Sequence, residues 1–552
     1  MRIRLLAAAL MLSCAWAAAD APPRVLWITI DSLRADHLGF MGYARNTSPW
    51  LDAFSRECAV FRRAIAPSNV TRRSVAGYMT GKFPTALAYL EPPLYLPLCE
   101  QTLAELFGAA GYRTLAWVTP SKLVKGVGFE QGFDHYHVLL PRSAPKADIA
   151  EIIRHVRTHY TPERGKEFIY IHTMDVHLPY RPPIPYDGLF ASPYDRTVVR
   201  EGSIFDGRGR SAYANLPYFA ATYDIQQADI DFLKSQYDGA IRYTDARLAE
   251  LLETLHYAPE SDFLVITADH GEQFYEHGYW GHGRLMFPEE IHVPLLVRAP
   301  GVEPGPRDRA VSLMDLWPTF AELLGVPRPE GLAGRSLATV LRGAPQPERY
   351  VISEHQHFCI PAAAVVGEGF LYRMNGLAHH RYPWKLWPFI EELYDLGADP
   401  GCTVDLAAQQ RGVADRSNCV LTEANPRYAE FTTDLIRGSD ADVRLGPDLV
   451  GPLSGEALGW RVAGGSIGQK QGGHLSLGMP SLQAYVKVNV PEPGHAHLIE
   501  VTYELSAGEL VLKLQDSLDK ALEYVSIEFI PISCLLYTSP SPRDRTRSRM
   551  PS

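Results

Sequence analysis

Apolar runs of strand length alternate with amphipathic helical stretches over the first half of the chain, and this alternation most restricts the fold. VLWITI (Val25 to Ile30), RTLAWV (Arg113 to Val118), EFIYIHTM (Glu167 to Met174) and FLVITA (Phe263 to Ala268) are near-continuous apolar segments. Between them lie QTLAELFGAAG from Gln101, ADIAEIIRHVRTHY from Ala147 and DFLKSQYDGAIRYTDARLAELLETL from Asp231. Strands without polar alternation are buried on both faces, so the pattern predicts an α/β domain with a mostly parallel sheet covered by helices on both faces. The 552 residues, 46% hydrophobic and 21% charged, suffice for that core and for more than one domain.

This first domain is expected over residues 22–345. Its Tyr-, Pro- and Gly-rich stretch from Arg181 to Ala228 is too long for a simple connection and reads as a lid or binding loop. Composition shifts after Tyr350, giving a smaller C-terminal subdomain over 346–440 with a turn at Asp399-Pro400-Gly401. Over 445–533, LQAYVKVNV, HLIEVTYEL and ELVLKLQDS are separated by Gly-rich turns, the pattern of an antiparallel β-sandwich.

The ends of the chain read differently. MRIRLLAAALMLSCAWAAADA opens with two arginines, a short apolar run and small residues, the pattern of a secretory signal over 1–19. It implies a periplasmic or secreted protein. Cys14, after Leu12-Ser13, loosely resembles a lipoprotein cleavage box; a lipid anchor there would be the route to a membrane, since no later stretch reaches about 18 apolar residues. From Cys534, CLLYTSPSPRDRTRSRMPS resembles the translation of a sequencing-library adapter, so 534–552 are set apart as an artefact, and the full extent of the sandwich is left open. Both ends are basic, so without them the chain is more acidic than its formal net charge of −10. That balance argues against a nucleic-acid partner. Cys58, Cys99, Cys359, Cys402 and Cys419 remain, with Cys402 and Cys419 the first pair to test for a disulfide.

Two aspartates close strands: Asp31 in ITIDSL and Asp269 in ITADHG, the latter followed by His270. Taken singly, each reads as a turn or helix-capping aspartate. Together, at the carboxyl ends of strands where doubly wound sheets collect their ligands, they read as a site for a divalent metal. Thr71 opens a short helical segment ending near Gly81. It reads either as the helix N-cap or as a hydroxyl placed where helix N–H groups attract an anion. Arg72 and Arg73 oppose the helix dipole in that first turn, which a bound anion would offset.

In order along the chain, DSLRADHLGFMGY, NTSPWLDAFSRECAVFRRAIA, the Thr71 to Gly81 segment, GYRT with GFEQGFDHY, YIHTMDVHLPYRPP, QYDGAIRYTD, ADHGEQFYEHGYWGHG, VPLLVRAPG and ELYDLGADPG resemble sulfatase-like members of the alkaline phosphatase superfamily. The resemblance covers roughly Val25 to Leu406 and implies a metal-dependent ester hydrolase over 22–345. It makes Asp31, Thr71, Asp269 and His270 the metal ligands and Thr71 the catalytic nucleophile. It makes His177 the proton donor to the leaving group and His282 a contact to the transferred group; Arg72 and Arg73 are the substrate-binding cations expected to serve where Val75 cannot. His277 and His172 are left as structural histidines, and a second metal on Asp175, His177 and His282 is set aside.

Three departures from the family pattern bear on the substrate. Thr71 replaces the formylglycine cysteine, with Arg73 and Val75 in place of the motif's proline and arginine. Asp31-Ser32 replaces an acidic pair, and His270 stands where an asparagine is common. The lysine-containing block after GYRT is replaced by TPSKLVKG, leaving Lys122 and Lys125 as substitutes. Two carboxylates, one imidazole and a hydroxyl favour Mn²⁺ or Zn²⁺, with Ca²⁺ as the alternative. The expected reaction is hydrolysis of phosphate mono- or diesters, or phosphonate esters, on a small molecule or glycan through a Thr71 intermediate. The alternatives are a sulfuric ester hydrolase without formylglycine, an envelope phosphoethanolamine or phosphoglycerol transferase, and a non-catalytic glycan-binding protein using Tyr186, Tyr194, Tyr213 and Tyr218.

Overall fold

The computed structural model describes residues 24–87, 95–141, 146–163, 165–191, 226–278, 280–357, 360–375 and 390–424, with short strands between 443 and 531. The main sheet uses β1 (Arg24–Ile30), β2 (Ala59–Ile65), β3 (Arg113–Val118), β4 (His135–Val138), β5 (Glu167–Thr173) and β6 (Phe263–Thr267). A small ribbon of β7 (Gln273–Phe274) and β8 (Trp280–Gly281) follows, and β9 (His292–Arg298) and β10 (Gly305–Ser312) complete the sheet. Its eight strands run in the order β10-β2-β9-β6-β1-β5-β3-β4. Within it only β9 runs antiparallel to its neighbours, β2 and β6. The mostly parallel sheet is therefore the one the apolar runs predict.

Helices cover both faces. Trp27 of β1 packs its ring 5.1 Å from Tyr78 and 6.3 Å from Phe320, on the helices Thr71–Thr80 and Leu316–Leu323. On β3, Trp117 sends its indole N–H to His155 Nδ1 at 3.0 Å, on the helix Ile149–His159. Local signals set the helix starts: Thr102 and Glu105 form a capping box for Leu103–Ala109, and Asp148 accepts from the Glu151 N–H ahead of Ile149. The central strand β1 is completely inaccessible from Val25 to Ile28, which is why its sequence carries no polar alternation.

A second, four-stranded sheet follows in the order β11 (Val351–His357), β12 (Ile360–Gly367), β13 (Phe370–Asn375) and β14 (Ile390–Asp395), with β12 and β13 antiparallel. Further on, Ile467–Lys470, His474–Gly478, Glu509–Asp516 and Ile499–Ser506 form an antiparallel sheet, and Ala484–Asn489 pairs antiparallel with Ser526–Pro531. Antiparallel pairing is what the Gly-punctuated runs after 445 lead one to expect. The secretory segment with Cys14, most of the Arg181 to Ala228 stretch including Tyr194, Tyr213 and Tyr218, and 534–552 lie outside the described residues.

The expected Cys402–Cys419 disulfide is absent: both are free thiols. Cys402 is buried in the turn after Gly401, whereas Cys419 is exposed on the helix Arg411–Ala424. Neighbourhood in sequence does not bring the two side chains into one environment.

Candidate active site

The two aspartates stand level on neighbouring strands. β1 and β6 are parallel with Thr29 opposite Thr267, so Asp31 and Asp269 leave the sheet at the same height, at its carboxyl edge. Sheet hydrogen bonding continues one step further on the other side, where the Asp31 N–H donates to Thr173 O at 2.8 Å. Both carboxylates are fully buried, as is His270, and donor atoms of Asp31, Asp269 and His270 all lie within 4.8 Å of one another.

Glycine and a tight hydrogen bond shape the turn after β6. A Cβ on Gly271 would sit 2.1 Å from the Glu289 carbonyl oxygen, so the chain passes there only without a side chain. The Gly271 carbonyl accepts a bond of 2.8 Å from His270 Nδ1. A carbonyl oxygen only accepts, so Nδ1 carries a proton and Nε2 is the ring nitrogen turned toward the carboxylates. His270 Nε2 faces Asp31 Oδ1 at 3.6 Å and Asp269 Oδ2 at 3.5 Å.

Two buried carboxylates converging on one point in a dry interior repel one another unless a cation lies between them. Asp31 Oδ2 and Asp269 Oδ2 are buried with no hydrogen-bond partner. The remaining oxygens are held: Asp269 Oδ1 accepts from the N–H groups of Ser32 (3.2 Å) and His270 (3.0 Å), and Asp31 Oδ1 accepts from the Ser32 hydroxyl (3.1 Å). This donor set fits a divalent metal: two carboxylates and a neutral imidazole with its other nitrogen fixed by a second-layer acceptor.

Thr71 meets the same place. It is the first residue of the helix Thr71–Thr80; Val70 occupies the N-cap and makes no side-chain bond. The hydroxyl is thus not spent on capping, and Thr71 Oγ1 lies 3.3 Å from His270 Nε2. Two contacts fix the helix: the Ser74 hydroxyl donates to Asp269 O, and Gly77 packs so closely on Pro67 that a Cβ would meet it at 2.5 Å. Of the expected cations, Arg72 gives its Nε–H to Lys122 O at 2.7 Å and Arg73 is buried at 6% exposure.

Two further histidines line the centre. The His282 ring lies 4.2 Å from that of His270 and 5.2 Å from that of His177. His177 Nδ1 bonds Leu178 O at 2.6 Å, so its neutral ring is an acceptor at Nε2. Burial lowers the His177 pKa to about 4, against the opposing pull of Asp31. His282 Nδ1 pairs with Glu272 Oε1 at 2.8 Å. Burial raises Glu272 to about 7 and holds His282 well below the ordinary imidazole range, with His270 adding to the second effect. The Lys122 charge also acts on His282 in that direction.

The carboxylate pair divides its charge. Burial pushes Asp269 up and the Asp31 charge adds to that. Asp31 is held below the usual carboxylate range because His177, His172 and His270 together outweigh its burial. Lysine also reaches the centre's rim: Lys146 Nζ donates to the backbone carbonyls of Asp175 (2.6 Å) and His177. Asp175 itself accepts from the Ile149 N–H with both oxygens, at 3.2 and 3.0 Å, and so caps a helix. Among the described residues, Asp31, Asp269 and His270 form the one group of three or more that meets the geometry of a metal site.

The structure brings Asp31, Thr71, Asp269 and His270 to one place, with His172 and Glu272 beside them, the first set aside in the sequence as structural and the second not singled out there. His172, set aside as structural, is fully buried with Nε2 3.4 Å from Asp31 Oδ2 and 3.7 Å from Asp269 Oδ2. Its signal was its place near the end of β5, opposite Thr29 and so beside the Asp31 strand. Lys146 and Glu272 carry no such signal, because their roles depend on how loops return to the sheet.

Similarity to known proteins agrees with this geometry. The Sulfatase family model matches residues 23–326, and the model for the N-sulphoglucosamine sulphohydrolase C-terminal region matches residues 275–415. The chain is 22% identical over 360 residues to the Ulvan-active sulfatase of Formosa agariphila, covering 59% of this chain and 66% of that one. It is 24% identical over 453 residues to arylsulfatase K of Gallus gallus, covering 72% and 82%. The match to human arylsulfatase K, 27% identical, spans 34% of that protein's length. In fold it is similar to the phosphonate monoester hydrolases of Agrobacterium radiobacter (TM-score 0.53, 20% identity, 76% and 98% of the two chains) and Silicibacter pomeroyi (0.55, 21%, 76% and 97%). With a family model matched over more than half its length, two strand-end aspartates and a histidine around one buried point, the chain belongs to the sulfatase family of the alkaline phosphatase superfamily.

Proposed function

We propose that the protein hydrolyses phosphate mono- or diesters, or phosphonate esters, with Thr71 as nucleophile at a centre of Asp31, Asp269 and His270. The observation that carries the reading is the Thr71 hydroxyl, not used for capping and 3.3 Å from His270 Nε2, at the position where sulfate-ester members of the family carry an aldehyde precursor. A divalent cation held by these residues supplies Lewis-acid stabilisation of the hydroxyl's conjugate base and of the negative oxygens in transfer. Two carboxylates and an imidazole favour Mn²⁺ or Zn²⁺ for that place.

The chain's own groups divide the remaining work. Thr71, its hydroxyl proton released to solvent, attacks phosphorus through Oγ, forming a P–O bond as the ester P–O bond breaks; water then attacks phosphorus, one of its protons returning Thr71 as an alcohol and the other restoring His177. His177 transfers a proton from Nε2 to the departing oxygen. Its ring is neutral when the site is empty, and an anionic ester entering beside it favours the protonated form. His282, oriented by Glu272, and Lys122 near it face the transferred group. The secretory pattern at 1–19 supports a periplasmic or secreted location, and among the described residues no helix is long and apolar enough to cross a membrane.

Sulfate-ester hydrolysis is the second reading, favoured by the curated relatives, which carry names such as Ulvan-active sulfatase and choline-sulfatase. Both readings are separated by assaying metal-loaded protein on aryl phosphate, aryl phosphate diester, aryl phosphonate and aryl sulfate. Turnover of a phosphorus ester that is lost in Thr71→Ala supports the first; turnover of the sulfate alone overturns it.

A further inference from the structure

We infer that His172 is a positioning residue of the metal centre, holding the Asp31–Asp269 carboxylate pair at their Oδ2 atoms. The inference rests on the reading of Asp31, Asp269 and His270 as metal ligands. His270 approaches Asp31 at Oδ1, whereas His172 approaches it at Oδ2, 3.4 Å away, and reaches Asp269 Oδ2 at 3.7 Å. His172 Nε2 and both of those oxygens are buried without a hydrogen-bond partner, so three polar atoms otherwise unprovided for face one another.

The far edge of the ring decides which nitrogen carries the proton. His172 Nδ1 lies 2.9 Å from the Tyr170 hydroxyl, which lies 2.6 Å from the hydroxyl of Tyr78, on the helix that begins with Thr71. If Nε2 were the acceptor, its lone pair would point at two carboxylate oxygens in a site closed to water, a costly arrangement. The tautomer that satisfies every atom has the Tyr170 O–H donating to Nδ1 and the Nε2–H aimed at the carboxylates. At 3.4 and 3.7 Å it is shared by two oxygens, each beyond ordinary hydrogen-bond length.

His172 thus braces both carboxylates through one N–H. It keeps Asp31 and Asp269 turned toward a common point while supplying part of the positive field that two buried anions need. Outer-layer partners of metal ligands set affinity through just such contacts.

The test measures metal affinity directly. Full-length protein stripped by chelation is titrated with Mn²⁺ and Zn²⁺ by calorimetry, as wild type, His172→Leu, His172→Gln and Tyr170→Phe. His172→Leu should weaken binding by about 10- to 100-fold. His172→Gln, whose amide keeps an N–H donor, should stay within about threefold, and Tyr170→Phe should fall between them. The metal-free melting temperature of His172→Leu should match wild type, since a packing role alone would lower it and leave affinity unmoved. Unchanged affinity in His172→Leu and Tyr170→Phe overturns the inference. A wild type that binds neither ion overturns the metal reading beneath it.

Discussion

Ser32 donates its backbone N–H to Asp269 Oδ1 at 3.2 Å while its own φ of 62° lies in the left-handed region. The chain thus accepts an uncommon backbone conformation directly after one ligand in order to brace the other. Its hydroxyl reaches Asp31 Oδ1 at 3.1 Å, so the side chain lies on the ligand side. Ser32→Asp would place a third carboxylate there. Calcium prefers six to eight oxygen ligands, so the variant should gain at least about tenfold in Ca²⁺ affinity relative to Zn²⁺. Competitive titration of the two ions would reveal an unchanged ratio if the side chain does not join the site.

Removing the Thr71 hydroxyl should abolish the reaction rather than weaken binding. Thr71→Ala should lower kcat/KM on the best substrate by at least about 10³-fold, whereas Thr71→Ser should remain within about tenfold. Mass spectrometry of protein quenched during turnover should find a phosphoryl adduct on the peptide that contains Thr71. Comparable turnover by Thr71→Ala would assign the nucleophile to water.

Lys146 clamps the backbone carbonyls of Asp175 and of His177 itself. Burial lowers its pKa to about 8, with Asp175 and Asp31 opposing the shift. Lys146→Met should release the turn and misplace the proton donor. The loss in kcat should reach about 10²-fold for alkyl leaving groups, which need protonation, and stay small for nitrophenolate. An equal loss for both leaving groups would mean that Lys146 does not act through His177.

Metal binding should depend on pH in a set direction. Burial and the Asp31 charge raise Asp269, so the metal-free pair retains a proton that must leave when a cation enters. Affinity should therefore rise with pH through the neutral range, and calorimetry in buffers of different ionisation enthalpy should register proton release. Chelation should also lower the melting temperature, since a bound cation stabilises only the folded chain.

Asp245 links pH to stability away from the centre. It accepts from the N–H groups of Trp50 and Leu51, and burial, only partly offset by those bonds, raises it from 3.8 to about 6. A raised acid binds protons more tightly folded than unfolded. Its contribution is complete below the unfolded value and is lost as pH rises through the folded one. Asp245→Asn should thus gain on wild type by on the order of 2 kcal/mol between about pH 4 and pH 7 in urea unfolding. A constant difference across that range would contradict the shift.

Much of this could be read before any coordinates. The apolar runs at Val25, Arg113, Glu167 and Phe263 became β1, β3, β5 and β6, because a strand buried on both faces leaves an unmistakable composition. β2, with Arg62 and Arg63 exposed in mid-strand, was not legible as a strand, nor was β4 with its three polar-capable rings. Asp31, Asp269 and His270 were legible since strand ends converge by topology. His172 was not, because its meaning lies in which face of β5 it occupies and in the Tyr170 and Tyr78 hydroxyls behind it. Thr71 was legible as a candidate, but only the structure gives the N-cap to Val70 and so frees the hydroxyl from a structural duty.

His270 and His177 each bond through Nδ1 to the carbonyl of the very next residue, Gly271 and Leu178. The proton position on both rings is therefore set by the adjacent carbonyl, within turns held by Lys146 and by the close approach of Gly271 to Glu289. Surrounding loops are at liberty to vary in length and shape, and with them the molecules admitted, while the electronic character of these imidazoles is inherited unchanged.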